Sequence, residues 1–429
     1  MVLIAYLAKA NKIHLLFTLT FFVIGWIIAP FNHKEETLPS SFVQTKASVI
    51  SVPKHSPFGR SCEIEFSNQR YLLEWKGKPS LALGDEIQFQ GVIQPFSEVK
   101  QNFWKTKLVL GRIIPTQTIQ KRGEGFFLWR WGMQIHESFT QFTNASLLPK
   151  AASVLNAICL NDRSSLDPFF QDAAFRSGTL HIFSVSGLHV ILVASLMAWI
   201  FRFLPLPRSL VILLEGFCLF LYVSATGLQA PAVRAALVSF IASTAFLWHK
   251  EPDSLSALSF AGIFYLLWQP YSLLNLGFQL SFICTSALIL FGSYSQNSHP
   301  SFWKTIGHWG AMLLKGSFIA TLASAPLLAT HLGQVPMVSI FANLLILPVL
   351  PVLMMATFSG WMIHLILPAM ATDLSQVFIE PLAGWIRFIV EQTGSLSWST
   401  FSIPKPSAYL IFLIYFLFLM LWRPHARKA

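Results

Sequence analysis

Residues 181–203 read HIFSVSGLHVILVASLMAWIFRF, a short polar opening followed by an apolar run that ends at Arg202. Such a run suits the hydrocarbon of a bilayer, which a straight helix crosses in about 20 apolar residues. Further candidate spans follow at 209–226, 231–248, 254–268, 273–292, 306–327, 336–350, 351–367 and 407–422. Several fall short of about 20 residues, so broken, tilted or re-entrant helices are expected among them. The composition agrees: of 429 residues, 54% are hydrophobic and 11% charged, against about a quarter charged in a soluble domain. The low charge excludes disorder, and the lack of a glycine period excludes a collagen-like fibre.

Upstream, an apolar run at 13–29 follows Lys9 and Lys12 and ends near Trp26 and Pro30, without a convincing small-residue cleavage site. It reads as a retained anchor, residues 1–30, with a cytoplasmic N-terminus. Residues 31–122 then carry short alternating runs at 43–52, 62–66, 71–75, 85–93 and 108–114, separated by Pro and Gly. Five strands at that spacing predict a small barrel or sandwich on the outer side of the membrane, and an OB-like barrel fits the count. Residues 123–178 read as an amphipathic helical connector broken by the polar stretch 161–167, and 179–429 as a polytopic domain. The expected fold is therefore a polytopic α-helical membrane protein of about ten transmembrane segments with an N-terminal extracytoplasmic β-rich domain.

Loop charge supports that orientation, because Arg202, Arg208, Lys250, Lys304, Arg423, Arg427 and Lys428 all fall inside if each span crosses once. Both termini are then cytoplasmic, and 374–391 lies as an amphipathic stretch at the outer face. The net charge of +11 divides into +2 before residue 31, +5 over 31–150 and +4 over 151–429. A cation excess in both halves suits a polyanionic partner, although topology-setting loops contribute to it. Cys62, Cys159, Cys218 and Cys284 are too few and too scattered for a zinc or disulfide framework. Cys62 and Cys159 could pair only if both lay close together on an oxidising side.

Polar groups inside lipid are costly unless paired or wet, so they carry the functional information. The richest cluster is His181, Ser184, Ser186, Gly187 and His189. Ser186 and His189 share a helix face, which suits either interhelical glue or a nucleophile and base. No acid is near in sequence to orient the histidine. In TGLQAPAVRAAL, Pro231 starts a helix and Arg234 lies one turn in, as an interfacial anchor or a pore-lining cation. In LLNLGFQLSF, Asn275, Gln279 and Ser281 interrupt an apolar run, for interhelical bonding or for lining. Pro326, Pro336, Pro348 and Pro351 are expected to break helices around Asn343, with Pro348 and Pro351 forming a turn between two spans.

Together, SGLH at 186–189, the arginine-bearing small-residue segment at 231–237, GFQLS at 277–281 and an asparagine before a proline-rich helix at 343–348 resemble the membrane region of ComEC-type competence proteins. The resemblance spans residues 170–355, and the barrel matches that family's outer domain by pattern and position. It implies passage of single-stranded DNA across the bacterial cytoplasmic membrane during natural transformation. It also implies an extracytoplasmic DNA receptor and a cytosolic helicase-like ATPase as partners. Many members end in a metallo-β-lactamase-like domain, but this sequence contains no HxHxDH run and ends seven residues after the last predicted span. A separate nuclease is therefore expected, and no enzymatic role or cofactor for this chain. No GxxxxGKS or GxxxxGKT loop is present, so the energy for transport comes from elsewhere.

Scattered polar lining suits a phosphate-bearing strand better than a dense lysine sleeve. Arg234, Gln279, Ser281, Asn343 and the His181–His189 cluster are the expected lining residues. Outside, KQNFWKTKLVLGR at 100–112 interleaves Lys100, Lys105, Lys107 and Arg112 with Phe103 and Trp104, a pattern for holding single strands by stacking and charge. The same pattern fits a solvated strand with its aromatics in the barrel core. Tyr71, Trp75, Lys76 and Lys78 form a weaker second stretch. Three classes of function remain: a DNA channel, an intramembrane hydrolase using Ser186 and His189, and a small-solute or lipid transporter.

Overall fold

The structure, a computed structural model, describes residues 42–95 except Val52, Pro57, Phe58, Asn68, Lys78, Ser80 and Leu83, then 109–247, 254–292 except Pro270, Tyr271 and Leu274, 302–403, and Tyr415. The expected anchor, most of the last span, and Lys100, Phe103, Trp104, Lys105 and Lys107 lie outside the described residues.

Strict alternation builds the N-terminal half. Strand β5 (Glu86–Gln94) turns Ile87, Phe89, Gly91 and Ile93 inward and its intervening residues outward, the period of two that a pleated strand imposes. It pairs antiparallel with β1 (Phe42–Val49) over a register running from Phe42 opposite Val92 to Ser48 opposite Glu86. From β1 the sheet continues antiparallel through β3 (Gly59–Phe66) and β4 (Gln69–Trp75). Strand β6 (Val109–Pro115) runs parallel to β4 and antiparallel to β5. Five strands thus close into a ring, the OB-like barrel that fits the spacing of the apolar runs. Two short strands escape the sequence reading: β2 (Lys54–Ser56) on β3, and β7 (Gln120–Gly123) on β5.

The barrel core corrects two expectations. Tyr71 and Trp75 are 2% and 4% exposed; Tyr71 stacks on Phe66 at 4.5 Å and the Trp75 indole N–H donates to Pro79 O at 3.2 Å. Their rings fill the core beside Ile64, Leu73, Ile87 and Ile113 and have no face free for a base. Cys62 belongs to this core and Cys159 to the helical one, and both thiols are free, so they do not pair. Burial pushes the Cys62 thiol up from its ordinary range.

At the base of the barrel, Asp85 is fully buried. One carboxylate oxygen accepts the Ala82 amide at 2.7 Å and lies 2.9 Å from Lys121 Nζ; the other accepts the Gly125 amide at 2.9 Å, with Arg130 at 3.8 Å. This one carboxylate ties β5, β7 and the first helix to each other.

That helix, α1 (Phe127–Ser146), buries Gly132, His136, Phe139, Thr143 and Ser146, a spacing of three and four that sets one face inward. It stops before Pro149, the first residue of α2 (Pro149–Leu160), which is buried all round from Ala151 to Leu160 and ends at left-handed Asn161. Asp167 caps α3 (Pro168–Arg176) by accepting the Phe169 amide at 3.0 Å. Beyond it come α4 (Gly187–Phe201), α5 (Arg208–Ala225), α6 (Ala230–Leu247), α7 (Ser254–Trp268), α8 (Leu276–Phe291) and α9 (Phe302–Leu332). A short strand β8 (Gln334–Pro336) leads to α10 (Ser339–Ile346), α11 (Val349–His364) and α12 (Pro368–Leu374). After a π turn come α13 (Glu380–Gly394) and β9 (Thr400–Ser402), which pairs with β8. Helix α13 buries Ala383, Ile386, Ile389 and Val390 and carries an Arg387–Glu391 ion pair at 2.7 Å, the amphipathic character expected of 374–391.

The helices differ from the expected spans in number. Among the described residues, Arg208–Ala225 and His308–Leu332 are long and apolar enough to cross a membrane. The expected spans 336–350 and 351–367 are α10 and α11, bent by 46° at their junction, and together have the length and apolarity of one broken span or a re-entrant loop. Several others, among them α4, α7 and α8, are apolar but only 15 or 16 residues long. Pro326 does not break its helix but sits inside α9, where the Thr330 hydroxyl donates to its carbonyl at 2.6 Å. The helical exterior is apolar, with Phe203, Leu267 and Ile366 exposed by 70%, 82% and 79%, where a water-soluble bundle would present charge.

Candidate polar site in the helical half

The HIFSVSGLH stretch is held from behind by residues that sequence reading passed over. Arg163, in the loop after α2, donates through Nε to Phe183 O at 2.6 Å and through a terminal nitrogen to Leu180 O at 3.1 Å. Burial brings its guanidinium down to about 10, so it stays charged at neutral pH. Beside it, His136 Nδ1 meets Ala225 O at 2.9 Å and its other nitrogen lies 4.0 Å from buried Asp162. The only signal for Asp162 and Arg163 in the sequence is the polar stretch 161–167, whose partners are distant in the chain. Gly178, at φ +71°, admits Pro336 and Ser339 so closely that a Cβ would lie 2.6 Å from that of Ser339; α10 therefore packs directly against the start of the stretch.

Within the stretch, His181 and Ser184 bond locally. His181 Nδ1 meets Gly178 O at 2.9 Å, and the Ser184 hydroxyl donates to His181 O at 2.9 Å. Ser186 then caps α4. Its amide donates to His189 Nδ1 at 2.8 Å and its hydroxyl lies 2.8 Å from the same atom. An accepting Nδ1 leaves the ring proton on Nε2, which is buried and has no partner among the described residues. The hydroxyl contact has the length of a nucleophile–base pair. Yet the single Nδ1 lone pair is shared with the amide, and no carboxylate among the described residues orients Nε2, so the geometry serves a helix cap better than a catalytic dyad.

Three motifs meet at Arg234. Pro231 opens α6, and one turn later Arg234 points into the protein, 8% exposed. Its Nε donates to Ser281 Oγ of α8 at 2.9 Å and its guanidinium carbon stands 5.8 Å from the Phe282 ring centre. A terminal nitrogen comes within 3.4 Å of where a Cβ of Gly187 would be. The ion pairs among the described residues engage Lys121, Arg130, His136 and Arg387, and none engages Arg234. A buried cation with one neutral partner is left incompletely compensated.

The other expected lining residues separate. Gln279 turns its amide nitrogen back to Leu273 O at 2.9 Å, leaving its carbonyl oxygen buried and unbonded, and Asn275 caps α8 by accepting the Gly277 amide at 2.8 Å. Asn343 lies buried on α10 with its side-chain oxygen unbonded. Arg112 sits on β6 opposite Leu72 and Gln94. A shallow surface groove of about 460 Å³ lined by Pro351, Val352, Met355, Ala356 and Ser359 includes none of these residues.

The fold and site define a class: a closed β-barrel joined to an apolar helical bundle with a buried, underpaired arginine at a helix start. The chain belongs to the Competence protein family, whose model matches residues 158–428, and is of the ComEC type. It is 28% identical to ComE operon protein 3 of Bacillus subtilis (strain 168) over 283 residues, which is 66% of this chain and 35% of the relative. It is 25% identical to Competence protein ComA of Neisseria gonorrhoeae over 252 residues, 56% of this chain and 34% of the relative. The match thus spans about a third of the length of these curated relatives. No solved structure matches.

Proposed function

We propose that this chain passes single-stranded DNA across the bacterial cytoplasmic membrane during natural transformation, as a multi-pass channel component without catalysis of its own. Family membership supports a role in competence, and the apolar exterior of the helices supports embedding in lipid. The observation that carries the reading is Arg234: a buried cation of the helical half with no counter-charge among the described residues. Such a group is costly in a purely structural role and useful where a polyanion passes. In this reading both termini are cytoplasmic and the barrel faces outward. Residues 100–112 hold the incoming strand, and a receptor, a nuclease and a cytosolic motor are separate proteins.

Deleting the gene is expected to abolish transformation while leaving DNA binding at the cell surface. Normal transformation in the deletion strain would defeat the proposal. Purified full-length chain in detergent is expected to bind an oligothymidine with steep salt dependence, because phosphate contacts release counterions. A small-solute or lipid transporter would instead show saturable flux with no effect of DNA. Hydrolysis at Ser186 has the 2.8 Å contact to His189 in its favour and requires turnover that Ser186→Ala abolishes.

A further inference from the structure

Helix α4 begins at Gly187, and neither the Gly187 nor the Leu188 amide has an acceptor among the described residues. Free amides at the start of a 15-residue helix carry partial positive charge and point along its axis. The other half of the site is contributed by α6. Ser281 accepts from Nε of Arg234, which fixes the plane of the guanidinium. One terminal nitrogen of Arg234 then comes within 3.4 Å of where a Cβ of Gly187 would be. The terminal nitrogens have no bonded partner among the described residues, although the side chain is more than nine-tenths buried. A guanidinium nitrogen beside a helix start brings together the two kinds of donor that a phosphate site uses.

We propose that the first turn of α4 and the Arg234 guanidinium form a seat for one phosphate ester, the phosphodiester of a DNA strand. The inference rests on the DNA-passage reading and adds to it a single, named contact point. Gly187 has a defined part in it: without a Cβ, an oxygen can approach both the amides and the guanidinium. A single seat also suits transport, since one partly desolvated contact holds a phosphate without trapping the strand as a continuous basic sleeve would.

The test uses the full chain in phosphate-free maltoside micelles, titrated with inorganic phosphate and followed by phosphorus NMR. Wild type is expected to bind phosphate, and a 12-residue oligothymidine to displace it. Arg234→Gln is expected to weaken phosphate binding at least tenfold and Arg234→Lys less, because lysine keeps the charge but not the fork. Gly187→Ala is the sharper variant. Its methyl would lie 3.4 Å from the guanidinium and 3.7 Å from the Ala235 Cβ, ordinary contact distances, so the fold is kept while the seat is filled. Gly384→Ala, whose methyl meets nothing within 4 Å, serves as the control.

Unchanged phosphate affinity in Gly187→Ala and Arg234→Gln, with helical circular dichroism retained, overturns the seat. So does a wild type that binds no phosphate. Native mass spectrometry separates the two sources of phosphate. A phospholipid that co-purifies with wild type, is lost in Arg234→Gln and is not displaced by oligothymidine would make the ligand a headgroup and overturn the DNA assignment. Transformation in the deletion strain is measured separately, so the seat can fail while the channel reading stands, and the reverse.

Discussion

The barrel and the helical half each bury one conspicuous charge, and they treat it in opposite ways. Asp85 is fully buried and saturated, by two backbone amides, Lys121 and Arg130. Arg234 is nearly as buried and holds one neutral hydroxyl. A saturated buried ion fixes a junction, and its loss strands the partners around it. An unsaturated one contributes little to stability, so its presence points to a task other than folding.

Asp85→Ala therefore has the largest expected effect, a loss of about 3–5 kcal/mol from breaking a buried ion network. Chemical denaturation of the full chain, followed by circular dichroism, measures it. A loss below about 1 kcal/mol would mean that the two charges do not differ in kind. Arg163→Met comes next, at about 1.5–3 kcal/mol for lost charged hydrogen bonds to Leu180 and Phe183. Because those carbonyls position the turn before Ser186, transformation should fall as well. Ser186→Ala removes a hydroxyl but keeps the amide on His189, so about 1 kcal/mol is expected with transformation largely retained. Abolished transformation with normal folding would instead revive catalysis at this serine.

A small stability effect is expected from Arg234→Met, near zero or slightly stabilising, because an apolar side chain of similar length needs no counter-charge. Transformation should nevertheless collapse. A melting loss matching that of Asp85→Ala would make Arg234 a structural residue and erase the contrast. Near the same junction, Glu124→Gln is expected to leave melting unmoved at neutral pH. Its carboxyl is held below the usual range by a hydrogen bond from Arg130, but it is solvent-exposed, where such pairs are screened.

How far the sequence could be read depended on whether the signal was local. Period-two alternation located the five barrel strands to within a few residues, and the apolar runs located α4 to α8, because both patterns are imposed by neighbours in the chain. The same local reading offered Tyr71 and Trp75 as stacking residues, since an alternating strand shows which residues share a face but not which face is the core. It expected more crossings than the long apolar helices among the described residues provide, because a bent pair and a helix continuing through Pro326 leave no local mark that separates them from two spans and a break.

For the candidate site, Ser186, His189, Arg234 and Ser281 stood out as polar groups in apolar surroundings, which needs only composition and hydropathy. That Arg234 meets Ser281 and the Gly187 backbone, while Gln279 and Asn275 turn back on their own helix end, was decided by packing. Sequence determined the barrel-and-bundle plan and the membership of the polar set, since periodicity and desolvation cost act residue by residue. Only the tertiary structure decided which of those groups are satisfied and which are left facing a gap, because a hydrogen-bond partner 47 residues away is chosen by how helices pack and not by the chain that links them.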